Sequence, residues 1–291
     1  MTKPKQAALL ATELRKMKST ATGKNYQISI GLPHAYVDDS IEFAPFDKPL
    51  TAWPVVYVLD SIWYFGMVTD MVRVMPWCGG TTDAIIVGIG YPEEESLRET
   101  WRKGVAFRTH DLTPIPSKKS EKRNSERLKL GVKTGGGVEF FKFIKQELIP
   151  LIEQEYPADP AKRILAGHSH GGLFTLFAMF QDPELFNCYI ASSPSLDFAE
   201  HYILTIESRY VEKHKRLPAQ VYLSAGELEV GTDETTLTDM YRFAALLESR
   251  KYKGLSLTKQ VFLDNDHCEV AALAFQAGLK MALRNNRSTA Q

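Results

Sequence analysis

The chain has 291 residues, 44% of them hydrophobic and 24% charged, the balance of an ordinary globular protein rather than a disordered or fibrous one. Thirty-five basic residues match thirty-five acidic ones, and the absence of a basic excess argues against a nucleic-acid partner. The three cysteines, Cys78, Cys188 and Cys268, lie far apart with no CxxC pair, so neither a disulfide framework nor a thiolate zinc site is expected.

Residues 1–24 read as an N-terminal extension. Its apolar run is followed at once by Glu13, Arg15 and Lys16, which is not the pattern of a signal peptide. No apolar stretch approaches the roughly 20 residues that cross a bilayer, so a cytoplasmic chain without a membrane partner is expected. Residues 25–31 (NYQISIG) alternate like an early strand. Residues 55–59 (VVYVL) and 84–89 (AIIVGI) are continuous apolar runs, suited to strands covered on both faces. Residues 163–166, 188–191, 221–225 and 257–263 read the same way. Helical spacing occupies 138–156, with a bend at Pro150, then 233–253 and 268–283. One α/β domain follows, a mostly parallel central sheet with helices on both faces. Between the early strands and the first long helix, residues 114–137 are polar and hold Lys118, Lys119, Lys122, Arg123, Arg127, Lys129 and Lys133. They read as a basic, lid-like mobile loop.

In such sheets chemistry collects beyond the C-terminal strand ends. After 163–166 comes Gly167-His168-Ser169-His170-Gly171, a G-x-S-x-G match followed by a strongly apolar helix. A strand-to-helix bend lifts the serine Oγ above the sheet, and the helix N-terminus favours developing negative charge there. Ser169 is the candidate nucleophile. A serine hydroxyl needs a base, which in this fold follows the last strand, and His267 stands there. The acid should follow the strand at 221–225, where Glu229 is the first choice and Glu227 the second. Asp264 or Asp266 could substitute locally, and a Ser-His dyad without an acid stays open. The oxyanion donors should be the amide of His170 and one from the loop at Ser61.

The blocks WPVVYVLD, RTHDLTP, GGGVEFFKFIKQELIPLIEQEYP, RILAGHSHGGLFTLFAMFQDPELFNCYIASSPSL and GELE resemble the putative-esterase (esterase D-like) family of α/β-hydrolases. Within it the chain is most similar to siderophore trilactone hydrolases of the enterobactin esterase type, over about Tyr26 to Leu283. The resemblance implies a serine esterase acting on a small ester through an acyl-enzyme, with Ser169 as nucleophile, His267 as base, and an acid at Glu227 or Glu229. It implies a substrate contact by Arg108, and a pocket lined by Trp63, Tyr64 and His168 that suits aryl or catecholate esters. It calls for no cofactor and no metal, and a homodimer stays open. One departure is Ser61, where the family often carries Gly. Arg108 could instead pair with Asp111. Two other classes compete with this reading, a metallohydrolase using the His168-x-His170 pair and a non-catalytic binding module on the same scaffold.

Overall fold

A computed structural model describes residues 8–37, 51–78, 80–231 and 235–284. Its strands are β1 (Thr12–Lys18), β2 (Asn25–Gly31), β3 (Trp53–Leu59), β4 (Ile85–Gly90), β5 (Ala158–His168), β6 (Cys188–Ser192), β7 (Gln220–Gly226) and β8 (Ser256–Phe262). They form one sheet in the order β1-β2-β4-β3-β5-β6-β7-β8. β1 pairs β2 and β2 pairs β4 antiparallel, and every later pair is parallel. The expected fold class holds. The N-terminal extension needs correcting, because Thr12–Lys18 is an edge strand of the sheet itself; residues 1–7 lie outside the described residues.

The helices are α1 (His34–Val37), α2 (Ser61–Val74), α3 (Leu97–Asp111), α4 (Lys118–Leu128), α5 (Gly137–Phe143), α6 (Ile149–Glu155), α7 (His170–Gln181), α8 (Phe198–Lys213), α9 (Thr236–Arg250) and α10 (Val270–Ala282). Residues 232–234, which include the start of the helical pattern at 233–253, lie outside the described residues. The apolar run of β3 explains the two-faced packing. Val55, Tyr57 and Leu59 enter one core with the aromatic residues of α5 and α7, while Val56 and Val58 enter a second with α2 and α10. Side chains alternate across a strand, so an unbroken apolar run buries both faces.

The bend expected at Pro150 is a π-turn over Ile144–Leu148, joining α5 to α6. Pro150 has no N–H to donate backwards, and the turn before it widens in consequence.

The segment 114–137 is not a loop. Its middle is helix α4, capped by the Ser117 hydroxyl, which accepts from the Ser120 amide. The buried stripe of α4 is Ser120, Asn124 and Leu128, at four-residue spacing. Asn124 Nδ2 donates to the Ser120 carbonyl at 3.0 Å, so polar residues satisfy one another along a face normally filled by apolar ones. Leu128 packs with Val105 and Ala106 of α3. Arg102 donates to the carbonyls of Leu128 at 2.9 Å and Lys129 at 3.0 Å. Glu121 accepts from the backbone and hydroxyl of Thr134 at 3.0 and 3.1 Å. These contacts dock α4 on α3.

Candidate active site

Ser169 lies between β5 and α7 with φ 60° and ψ −120°, a conformation costly for a residue with a Cβ. The bend holds because glycines stand two and three positions from the serine. A Cβ on Gly167 would overlap the Gly171 carbonyl, and one on Gly172 would come within 2.9 Å of the Ser192 carbonyl. The Ser169 amide donates to Ser192 O at 2.9 Å, and its carbonyl accepts from Leu173 and Ser195 at 3.0 and 3.1 Å. The Ser169 Oγ lies 3.3 Å from the Ser195 Oγ.

His267 stands on the turn after β8. Its Nδ1 is 2.6 Å from Glu229 Oε2. Glu229 is buried to 1% exposure, and its other oxygen accepts from the Ser193 hydroxyl at 2.5 Å and the Gly226 amide at 2.7 Å. Both Glu229 oxygens are therefore occupied and the carboxylate is fixed. A Cβ on Gly226 would overlap the Asn265 carbonyl, so only glycine lets the end of β7 meet the histidine loop. Glu227, the second candidate acid, is exposed and accepts from the Asp264 amide at 3.0 Å, bracing that loop rather than the imidazole. Asp266 accepts from the amides of Cys268 and Glu269, and those hydrogen bonds hold its pKa below the ordinary value.

The two histidines beside Ser169 diverge. His168 is buried, takes Ser192 Oγ at 3.0 Å on its Nδ1, and lies 4.6 Å from the His267 ring. Burial pushes its pKa down to about 3, with the charges of His267 and Arg108 acting the same way. It is a buried, neutral ring packed against His267. His170 instead meets Phe198, ring to ring at 6.0 Å, and its Nε2 is buried without a hydrogen-bond partner. A chelating pair of these two rings is not formed, and among the described residues no group of three or more metal-type ligands occurs. The amide of His170 opens α7 and belongs to the donors that no helical carbonyl can reach.

The second expected donor, at Ser61, opens α2. Here the residue in the left-handed region is Asp60, with φ 57° and ψ 50°, so the glycine often found at the next position is dispensable and Ser61 fits. Its hydroxyl donates to Ser29 Oγ at 3.2 Å. Asp60 itself was not expected to matter. It is 2% exposed and receives Arg108 in a fork, Nε to Oδ1 at 2.6 Å and Nη2 to Oδ2 at 2.7 Å. Burial opposes the charge on Arg108, yet the Asp60 carboxylate outweighs it and holds the guanidinium pKa above its ordinary value. A Cβ on Gly171 would lie 3.3 Å from Asp60 Oδ2, so this pair also abuts the bend. Asp111, the partner weighed for Arg108, is taken by Tyr26 at 2.8 Å, Tyr91 at 3.3 Å, His110 at 2.8 Å and Lys24. Trp63 is exposed and lies under Arg108 Cζ at 5.4 Å. Tyr64 is half-buried between His168 and Phe275, and burial raises its pKa.

The family described as Putative esterase matches residues 19–259. The chain belongs to that family. The ferri-bacillibactin esterase BesA of Bacillus subtilis is 33% identical over 280 residues, covering 94% of this chain and 89% of that protein. The BES protein of Bacillus cereus superposes with a TM-score of 0.79 at 28% identity, over 98% of this chain and 99% of that one. The siderophore hydrolase EstB of Aspergillus nidulans shares the fold at a TM-score of 0.77 and 23% identity, over 98% and 99% of the two chains. The expected class, a serine ester hydrolase on the α/β-hydrolase fold, is borne out. No described helix is long and apolar enough to cross a membrane.

The Asp60–Arg108 fork joins the start of α2, the last turn of α3 and the bend at Ser169. Asp60→Ala and Arg108→Ala are each expected to lower kcat on a small neutral ester by about 10²-fold, the effect of displacing a group that aligns reacting atoms. KM should change far less. Because the two residues act as a unit, the double variant should be no slower than either single one. Steady-state kinetics on the four proteins measure this, and losses that multiply would show that the residues act separately.

Proposed function

We propose that the protein hydrolyses siderophore-type esters, catecholate lactones foremost, through an acyl-enzyme on Ser169. The observation that carries the reading is the buried Glu229 held 2.6 Å from His267 Nδ1, at strand ends neighbouring the bend that bears Ser169. With Glu229 accepting the Nδ1 proton, Nε2 is the nitrogen that takes the proton of the Ser169 hydroxyl. The alkoxide so formed attacks the ester carbonyl, and the oxyanion rests on the amides of His170 and Ser61. As the tetrahedral intermediate collapses, the C–O bond of the leaving alcohol breaks and His267 returns the proton to it. Water then repeats the sequence on the acyl-enzyme, releasing the acid and restoring Ser169.

The substrate class is supported by the relatives' own activity, since BesA is a ferri-bacillibactin esterase. Exposed Trp63 at the site gives an aryl arm a flat apolar face. A cytoplasmic setting belongs to the same proposal and is supported by an exposed Cys268 thiol and a buried Cys188 thiol that are both unbridged. Treatment with an organophosphonate should modify Ser169 once per chain and abolish hydrolysis of a catecholate trilactone in parallel, while a chelator leaves the rate unchanged. Loss of activity in chelator with Ser169 unmodified would reject the serine mechanism. Turnover of simple aryl esters with the trilactone untouched would reject the substrate class alone.

A further inference from the structure

Past the end of β6 the chain reads Ser192-Ser193-Pro194-Ser195, and each of the three serines meets a residue of the site through its hydroxyl. Ser192 Oγ lies 3.0 Å from His168 Nδ1, and Ser193 Oγ donates to Glu229 at 2.5 Å. Both serve groups that stand behind the reacting atoms. Ser195 differs. Its Oγ lies 3.3 Å from Ser169 Oγ, the nucleophile itself, and among the described residues it has no other hydrogen-bond partner. Acylation by Ser169, His267 and Glu229 leaves this hydroxyl without a task.

The backbone under Ser195 is fixed on the bend. The Ser195 amide donates to the Ser169 carbonyl at 3.1 Å, and the Ser169 amide donates to the Ser192 carbonyl at 2.9 Å, so the two segments are tied in both directions. Ser193 turns in the left-handed region at φ 40°, held by its amide on the Ser224 carbonyl at 2.7 Å. Pro194 presses on α7 so closely that a Cβ on Gly172 would come within 3.0 Å of its Cα. The Ser195 carbonyl accepts from Phe198 at 3.2 Å.

Which hydroxyl donates follows from the base. The Ser169 proton goes to His267 Nε2, so the proton between the two oxygens is that of Ser195, and Ser169 Oγ accepts it. At 3.3 Å the bond is long for neutral hydroxyls, which usually sit about 2.7–2.8 Å apart. A hydroxyl that donates to an oxyanion closes to about 2.5–2.7 Å and is roughly twice as strong. An interaction weak at rest and strong at the barrier raises kcat.

We propose that Ser195 is a catalytic residue, whose hydroxyl stabilises charge on Ser169 Oγ itself while the amides of His170 and Ser61 serve the carbonyl oxygen. The inference rests on the serine mechanism proposed above and adds a donor to it. Charge on Oγ peaks when its proton has passed to His267 and its bond to the acyl carbon is half formed. Acylation crosses that point as the bond forms. Deacylation crosses it in reverse, when the water oxygen is bonded to the carbon, the Oγ–C bond breaks and His267 returns the proton to Oγ. Ser195 keeps its own proton throughout.

Single-turnover kinetics on an activated aryl ester follow release of the alcohol and of the acid, with rates expressed per site titrated by an organophosphonate. Ser195→Ala is expected to slow both releases by about 30-fold, the worth of one charge-assisted hydrogen bond. Because both steps slow alike, steady-state KM should stay within about twofold of the parent. Ser195→Thr, which keeps the hydroxyl, should remain within about fivefold of the parent rates. Ser195→Cys, with a weaker donor of similar shape, should fall between the two, and it stands in for the alanine variant if that one does not fold. The proposal is overturned if the alanine or cysteine variant keeps the parent rates, if threonine is as slow as alanine, or if the loss is confined to KM. Undiminished hydrolysis by Ser169→Ala would instead reject the serine mechanism, and a parent inert toward the trilactone would bear on the substrate class alone.

Discussion

Ser169→Ala is expected to lower kcat by about 10⁶-fold, and His267→Ala by a similar factor, because in the proposed mechanism nucleophile and base form one device in which either is useless alone. The double variant should therefore be no slower than the single ones. Binding is expected to persist, since neither change removes the surface around Trp63, so KM for an activated aryl ester should move by only a few-fold. Residual turnover would come from the backbone donors of the bend, which the alanine leaves in place. Single-turnover kinetics on the three variants measure the effect. A His267→Ala enzyme that retained a tenth of the parent rate would mean that another group removes the serine proton. His168 and His170 are poor substitutes, because burial makes each ring a weak base and each is engaged by another group, Ser192 Oγ or the Phe198 ring.

Glu229→Gln should cost about 10⁴-fold in kcat, the loss found when the acid of such a triad becomes an amide. The reason is tautomeric. The carboxylate accepts from His267 Nδ1 at 2.6 Å, while its other oxygen is pinned by Ser193 and Gly226. In a glutamine the pinned oxygen stays an acceptor, so the NH2 group turns toward the ring and forces the proton onto Nε2, where it blocks the base. Glu227→Gln should remain within about threefold of the parent, since its carboxylate meets only the Asp264 amide and lies in solvent. The two rates, taken side by side, identify the acid, and equal, near-parental values for both would point to a Ser-His dyad.

Most of the sheet was legible in the sequence because a strand buried on both faces must be apolar at every position, as β3 and β4 are. The order Ser169, Glu229, His267 was legible because each follows a strand that ends on the same side of the sheet, although β8, read as covered on both faces, is a largely exposed edge strand with Thr258, Lys259 and Gln260 at its middle. What stayed hidden lacked a local signal. Helix α4 buries Ser120 and Asn124 where apolar residues would mark a helix, and its polar stripe reads as a solvated loop. Asp60 and Arg108 are 48 positions apart, and only the fold brings them together. The left-handed backbone at Asp60 gave only a weak signal, because aspartate enters that region far less often than glycine does. Ser193 and Ser195 gave no cue beyond standing past a strand, yet one fixes Glu229 and the other touches Ser169 Oγ.

The edge strand β1 carries a consequence beyond the site. It covers β2, whose last four residues are buried, and carries charge on both of its faces, Glu13 and Arg15 on one and Lys16 and Lys18 on the other. An uncovered strand of that kind would offer its unpaired amides to other copies of the chain and template fibrillar assembly. β1 thus puts charge where a sticky border would otherwise be, the placement that gatekeeper residues take beside an aggregation-prone strand.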